Sequence, residues 1–251
     1  DIFSSFLYVD EPLLNPTTML IHLDNNAREV EKIYPTEVGI LADPATGLAE
    51  LSDALAQDMS PSAKETAVTR TAQLRESRIR SEEEYLKRLG DVWDQSPMPV
   101  GRMMHELAST VPENTIVVDE AITSRPAMMQ SFAFDRPGDL FAIRGGALGW
   151  AMPGALGIKL AQPDRPVLAV VGDGASMYTV QALWTAARFN IPVVYVICNN
   201  RSYRILKVNM DIYLKRMLND EERESEYTGM DFANPLDLAA IAQGMGVASE
   251  K

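Results

Sequence analysis

Val167-Leu168-Ala169-Val170-Val171 and the run from Ile191 to Cys198 are continuous apolar stretches, and each ends abruptly in polar turn residues. Gly172-Asp173-Gly174 follows the first, and Asn199-Asn200 follows the second. Between them, Tyr178 to Phe189 has the spacing of one helix, with Val180, Leu183, Trp184 and Ala187 expected on a single face. Strands that are apolar along their whole length belong in a parallel sheet covered by helices on both sides. A strand-helix-strand unit of this kind crosses over right-handedly, so both turns arrive at the same edge of the sheet. That edge, outside the carboxyl ends of the strands, is where open α/β folds bind ligands.

The surrounding residues extend the pattern. Thr115 to Asp119 reads as another buried strand, and Val100 to Thr110 and Pro153 to Leu160 read as helices, the latter with proline near its first turn. Residues 98–251 are therefore expected to form a doubly wound parallel α/β domain. Upstream, Met19 to Asp24 and Val38 to Asp43 read as short strands, followed by a helix from about Thr46 to Gln57. Residues 1–57 alternate strand and helix but are too short to close a domain alone. From 58 to 97 the character changes. Ser60-Pro61-Ser62 breaks the pattern, and Arg75, Arg78, Arg80, Glu82, Glu83, Glu84, Lys87 and Arg88 alternate in sign. That stretch is expected to be a linker carrying a solvated, charged helix. No internal repeat is visible.

Composition removes several function classes. A net charge of -12 disfavours nucleic acid, whose phosphates need a basic surface. Anionic ligands can still be held locally by backbone N–H groups and a metal. The single cysteine, Cys198, rules out an intrachain disulfide framework and fits a reducing cytoplasm. No run of ~18 apolar residues suggests a membrane-spanning helix. The opening DIFSSFLYVDEPLL has neither the basic region nor the apolar core of a secretory signal. It reads as entering a fold part-way, so further chain is expected before it.

The two turns carry the chemistry. Asp173 offers a hard anionic oxygen, Asn200 a neutral carbonyl oxygen, and the backbone carbonyl of Ser202 a third. Such a set suits magnesium, which completes its octahedron with phosphate oxygens and water. Gly172 and Gly174 remove side chains where the backbone must turn and approach a ligand closely. The N–H groups after Gly174 would face a diphosphate. Either turn alone is a weak signal. Their combination across one strand-helix-strand unit, with 24 residues between Gly174 and Asn199, is far more specific. A dinucleotide-binding domain is disfavoured, because no GxGxxG opens a helix after the first strand.

The run from Gly172-Asp173-Gly174 to Asn199-Asn200 resembles the thiamine-diphosphate motif of the 2-oxo acid decarboxylase and acetolactate synthase superfamily, and benzoylformate decarboxylase-like members most of all. Two flanking segments share the likeness: Arg144-Gly145-Gly146-Ala147-Leu148-Gly149-Trp150-Ala151-Met152-Pro153-Gly154-Ala155 and Gln181-Ala182-Leu183-Trp184-Thr185-Ala186-Ala187. The resemblance implies that residues 1–57 are the C-terminal part of a Rossmann-like central domain. Residues 98–251 would be the domain that binds the diphosphate and magnesium.

It also implies roles. Asp173 and Asn200 would ligate magnesium by side chain and Ser202 by its carbonyl. Leu148 matches the bulky residue that holds the cofactor's two rings in a V shape. The Gly146 carbonyl matches the acceptor that orients the 4'-amino group. Gly172, Gly174, Ala175 and Ser176 lie where backbone groups hold the diphosphate. Ala175 departs from the serine often found there, so the hydroxyl contact is either lost or taken over by Ser176. Thr123 and Ser124, on the loop after Thr115 to Asp119, are placed to contact phosphate, and Tyr203 to border the cofactor. In Tyr203 to Asn209, Ile205 and Leu206 match an apolar wall of the acyl pocket. Asn209 stands where an aromatic relative has phenylalanine, which makes benzoylformate a poor substrate unless that helix is rotated and Asn209 faces away.

The family's activating glutamate belongs to an N-terminal pyrimidine-binding domain that has no match here. His22, His105 and Cys198 do not replace it and read as structural. The expected partners are that domain, from the same or a neighbouring subunit of a homodimer or homotetramer, and a small 2-oxo acid. Decarboxylase, carboligase and cofactor-binding module without turnover all remain open at this level.

Overall fold

The computed structural model describes residues 12–143, 145–220 and 226–251. Arg144 and the first 11 residues of the opening segment lie outside that description. The chain divides into two compact units, 1–80 and 81–251.

In the first unit, β1 (Ile21–Asp24) pairs in parallel with β2 (Val38–Leu41), with Ile21 opposite Val38 and Asp24 opposite Leu41. Helix α1 (Pro44–Asp58) starts sharply, because the Asp43 side chain accepts the N–H groups of Ala45 and Thr46 and a proline occupies the first turn. Gly47 lets α1 sit close on β1; a Cβ there would come within 2.8 Å of Leu23 Cδ1. No residue of α1 is buried, and Ile21, Leu41, Leu48 and Leu55 stay exposed. Among the described residues, β1, β2 and α1 enclose no core of their own.

Ser60-Pro61 starts a helix rather than breaking one. The Ser60 hydroxyl accepts the Ala63 N–H at 3.2 Å, and α2 then runs unbroken over Pro61–Val92. The charged run lies on this one helix, in which only Leu89 is buried. The boundary between the units, Arg80 to Ser81, falls inside it.

The second unit continues with α3 (Val100–Thr110), β3 (Ile116–Glu120), α4 (Arg125–Ser131), β4 (Leu140–Ala142), α5 (Ala151–Ala161), β5 (Val167–Gly172), the single turn α6 (Asp173–Ser176), α7 (Ala182–Phe189), β6 (Val194–Cys198) and α8 (Arg204–Ile212). A π-helical turn, Tyr213–Met217, extends α8, and α9 spans Leu238–Gly244. The four strands form one parallel sheet in the order β4-β3-β5-β6.

Every residue of β3 and nearly all of β5 is buried. Alternate side chains enter two separate cores, which explains the unbroken apolar runs. Ile116, Val118, Ala169 and Val171 pack with Ala151, Ala155 and Leu183 on one face. Val117, Leu168 and Val170 pack with Met104 and Met128 on the other. The sheet is thus covered on both sides, as a doubly wound fold requires.

Three expectations shift. The run Ile191 to Cys198 is a strand only from Val194, and β6 is an edge strand with Val194 62% exposed. An edge lacks the neighbour that would cover it. The helix expected from Tyr178 starts at Ala182, so its buried face is Ala182, Leu183 and Ala186, while Trp184 is exposed. It ends on Asn190 in the left-handed region, whose N–H returns to the carbonyls of Ala186 and Ala187. Helix α5 starts two residues before Pro153, which lies in the first turn, where a missing N–H breaks no intrahelical bond.

The order of the sheet places the site. From β3 the chain moves to β4 on one side, and from β5 it moves to β6 on the other. The carboxyl ends of β3 and β5 therefore flank a switch point, the crevice that open α/β sheets use for ligands. Among the described residues, no helix is long and apolar enough to cross a membrane.

Candidate functional site

A cavity of about 270 Å³ opens at this switch point. Its walls come from residues 120–124 from the last residue of β3 onward, 172–175 from the last residue of β5 onward, Cys198 at the end of β6, Asn200 and residues 202–206 beyond it, Leu148 from the loop before α5, and Tyr178. The volume lies just below the ~300–1,000 Å³ typical of ligand clefts.

Asp173 is its buried centre, 2% exposed. One carboxylate oxygen accepts the N–H of Gly174 at 2.9 Å, and the other accepts the N–H of Arg201 at 2.7 Å. Arg201 has φ 57°, a left-handed conformation that turns its N–H back toward β5. The Asn200 side-chain oxygen accepts both the N–H and the hydroxyl of Ser202, at 3.0 and 3.1 Å. Asp173, Asn200 and Ser202 all line the cavity.

Gly174 is needed for space. A Cβ at this position would lie 2.7 Å from Tyr203 Cε1. The Tyr203 ring cannot easily move away, because it meets Phe232 edge to face at 4.8 Å. Thr123, Ser124, Leu148, Gly172 and Ala175 also border the cavity. Leu148 is 43% exposed, so core packing does not account for it.

Three residues named from the resemblance lie outside the lining of this cavity. Ser176 is 1% exposed, lies outside this cavity's lining, and its hydroxyl donates to the Asp173 carbonyl at 2.8 Å. It does not replace the hydroxyl missing at Ala175, because α6 turns it inward. Gly146 has φ +72° and open space on its Cβ side, and is also outside the lining. Asn209 is half-buried and outside the lining too; Arg204, Ile205 and Leu206 form that wall instead.

Other groups were not singled out by sequence reasoning. Glu120, 2% exposed, accepts the N–H of Gly149 with one oxygen and the N–H of Ala151 with the other at 2.8 Å. Burial pushes its carboxyl above the usual range, against the pull of the Ala151, Gly149 and Trp150 N–H groups. Asp119 accepts the Ala121 N–H at 3.0 Å and pairs with Arg125 Nε at 3.2 Å; burial raises it as well. Two consecutive acids closing an apolar strand were the signal available for both. Phe232 had none, since its role comes only from contact with Tyr203.

The two histidines and the cysteine expected to be structural each have a defined local setting. His22 lies on β1, 4.0 Å from Asp24. His105 meets Trp93 edge to face at 5.8 Å. Cys198 borders the cavity, but burial pushes its thiol up to about 11, leaving little thiolate at neutral pH.

The donor set suits a metal shared with phosphate. Among the described residues no cluster of three or more His, Cys, Asp or Glu side chains is placed to hold a metal. An ion here would draw on Asp173, on neutral oxygens and on ligand oxygens, which is the chemistry of magnesium.

A parallel, doubly wound sheet with a glycine-bordered acidic crevice at its switch point defines an α/β cofactor-binding domain, and comparison with known proteins identifies which kind. The sequence model of the thiamine pyrophosphate enzyme family, C-terminal TPP binding domain, matches residues 123–251, and the chain belongs to this family. An acetolactate synthase-like large subunit, IlvX, of Mycobacterium tuberculosis is 33% identical over 86% of this chain and 38% of its own length. Benzoylformate decarboxylase of Pseudomonas aeruginosa is 34% identical over 54% of this chain and 24% of its own. The 4-hydroxybenzoylformate decarboxylase of Rhodococcus jostii shares the fold, with a TM-score of 0.71 at 24% identity over 98% of this chain and 41% of that one. The chain thus spans well under half the length of these relatives.

Proposed function

We propose that this chain supplies the diphosphate- and magnesium-binding half of a thiamine-diphosphate-dependent enzyme that decarboxylates a 2-oxo acid without oxidation. The observation that carries this reading is the hydrogen bond from the Arg201 N–H to the buried Asp173 carboxylate. It holds the two oxygen-bearing turns together beside a glycine-bordered cavity. Asp173, Asn200 and Ser202 would hold magnesium. The N–H groups of Gly174 and Ala175, with Thr123 and Ser124, would hold the diphosphate, and Leu148 would support the rings. When bound, the cofactor supplies the electron sink needed to break the bond to the carboxylate carbon. The residues of this chain would bind and orient the cofactor.

The other half of the site would come from a pyrimidine-binding domain carrying the activating glutamate, in the same or a neighbouring subunit of a cytoplasmic homodimer or homotetramer. A carboligase is the second reading, favoured by the likeness to IlvX over 86% of this chain.

Calorimetry tests the binding half. The 251-residue chain should bind thiamine diphosphate with magnesium and much more weakly with a chelator; no binding in either condition would sink the proposal. The isolated chain should turn over no 2-oxo acid, whereas a complete subunit should. Carbon dioxide with an aldehyde marks a decarboxylase, and carbon dioxide with a hydroxy-keto acid marks a carboligase.

A further inference from the structure

Leu148 borders the cavity yet is held by little around it. It is 43% exposed, and Gly145 and Gly146, at φ +66° and +72°, lie just before it with nothing near their Cβ positions. Its position must therefore be set from its C-terminal side. The next residue, Gly149, is fastened at two points. Its N–H donates to Glu120, and its carbonyl accepts the Thr179 hydroxyl. Its φ of +87° suits glycine, and a Cβ would come 2.6 Å from the Tyr178 Cβ.

Glu120 does a second job in the same place. Helix α5 begins at Ala151, and Trp150 before it makes no side-chain cap. The first N–H groups of a helix have no internal partners and carry partial positive charge. The Glu120 carboxylate, arriving from the end of β3, accepts the Ala151 N–H at 2.8 Å and so caps α5 from another element. One buried side chain thereby ties the end of β3, the residue after Leu148 and the start of α5 together. Charge-assisted bonds of this kind are short and directional.

We propose that Glu120 is a positioning residue that holds Leu148 at the ring-binding part of the cavity while leaving the diphosphate-binding turn unaffected. This rests on the cofactor reading above. The separation comes from the geometry: Glu120 bonds to residues 149 and 151, whereas Asp173, Gly174 and Arg201 form their own hydrogen-bonded group.

The test uses two probes with magnesium on the 251-residue chain, thiamine diphosphate and inorganic diphosphate, by calorimetry. In Glu120→Gln one oxygen is lost, so thiamine diphosphate should bind about tenfold more weakly. Inorganic diphosphate should stay within about twofold. Leu148→Ala should show the same selective loss, and the double variant should lose no more than either single one, because both act at one point. Equal losses for both probes, unchanged thiamine diphosphate binding, or additive losses in the double variant would each overturn the inference. If Glu120→Gln does not fold, as judged by circular dichroism, Thr179→Val takes its place, since it frees the other side of Gly149. Unchanged thiamine diphosphate affinity there would equally overturn it. Wild-type chain that binds neither probe would sink the cofactor reading and this inference with it; wild-type binding without the selective loss would sink this inference alone.

Discussion

Asp173 and Arg201 lie 28 residues apart, yet the carboxylate of one accepts the backbone N–H of the other at 2.7 Å. The bond joins the turn after β5 to the turn after β6. It makes Asp173 both a structural acceptor and the one charged oxygen donor of the proposed metal site. Substitutions there should separate the two roles.

Asp173→Ala leaves the buried Gly174 N–H without its acceptor, which costs ~1–3 kcal/mol, and leaves the part-buried Arg201 N–H only the Asn199 side-chain oxygen at 3.3 Å. Asp173→Asn keeps an oxygen acceptor but removes the charge. Urea unfolding should show the larger loss for alanine. Calorimetry should show both variants losing magnesium-dependent thiamine diphosphate affinity at least tenfold, about 1.4 kcal/mol. Wild-type affinity in Asp173→Asn would refute the metal assignment.

Gly174→Ala places a methyl 2.7 Å from Tyr203 Cε1, with Phe232 behind that ring. Overpacking of this kind typically costs ~1–3 kcal/mol. The variant should be destabilised by that amount and should bind diphosphate poorly. Adding Tyr203→Ala should restore much of the stability by clearing the ring. A Gly174→Ala protein with an unchanged denaturation midpoint would show that the close approach is not required.

Asp139 should shape the acid limb of stability. Burial pushes its carboxyl up, but Arg165 at 2.6 Å and Arg136 at 3.3 Å outweigh it, and the net position is below the ordinary aspartate value. The unfolded chain therefore takes up this proton first as pH falls. The stabilisation is complete above the ordinary aspartate value and is lost as pH drops through the lowered folded one. Asp139→Asn should be destabilised near neutrality, and the gap to wild type should close in acid. A gap that stays constant down to pH ~2 in urea titrations would contradict this.

In the complete enzyme, Asn209→Phe should leave the acyl preference unchanged, because Asn209 does not border the cavity and Ile205 does. Ile205→Ala should widen that wall and raise kcat/KM for larger 2-oxo acids relative to small ones. A substrate panel in which only the Asn209 variant alters selectivity would reverse this assignment.

Much of the architecture could be read from residue order. Unbroken apolar runs at 116–118 and 167–171 could only be strands buried on both faces, and both are. The paired turns at 172–174 and 199–200 required one intervening helix, and hydrophobic periodicity located it to within a few residues. Periodicity registers that a residue is apolar, however, not what lies beside it. Ile191 to Cys198 reads like β5, but β6 is an edge strand, because burial depends on neighbours that spacing does not reveal.

Sequence by itself thus determined the parallel α/β class, the sheet edge of the candidate site and the place of Asp173 at that edge, since these derive from local periodicity and from the handedness of a single crossover. Tertiary structure alone decided the direction of individual side chains at that edge. It turned Ser176 inward onto the Asp173 carbonyl, set Tyr203 against Gly174 and Phe232, and brought Glu120 to the N–H groups of Gly149 and Ala151. Hydrogen bonds between residues 29 and 31 positions apart leave no local periodic trace. They form because a buried carboxylate must find donors and a helix start must find an acceptor, and only the packed sheet brings the two within reach.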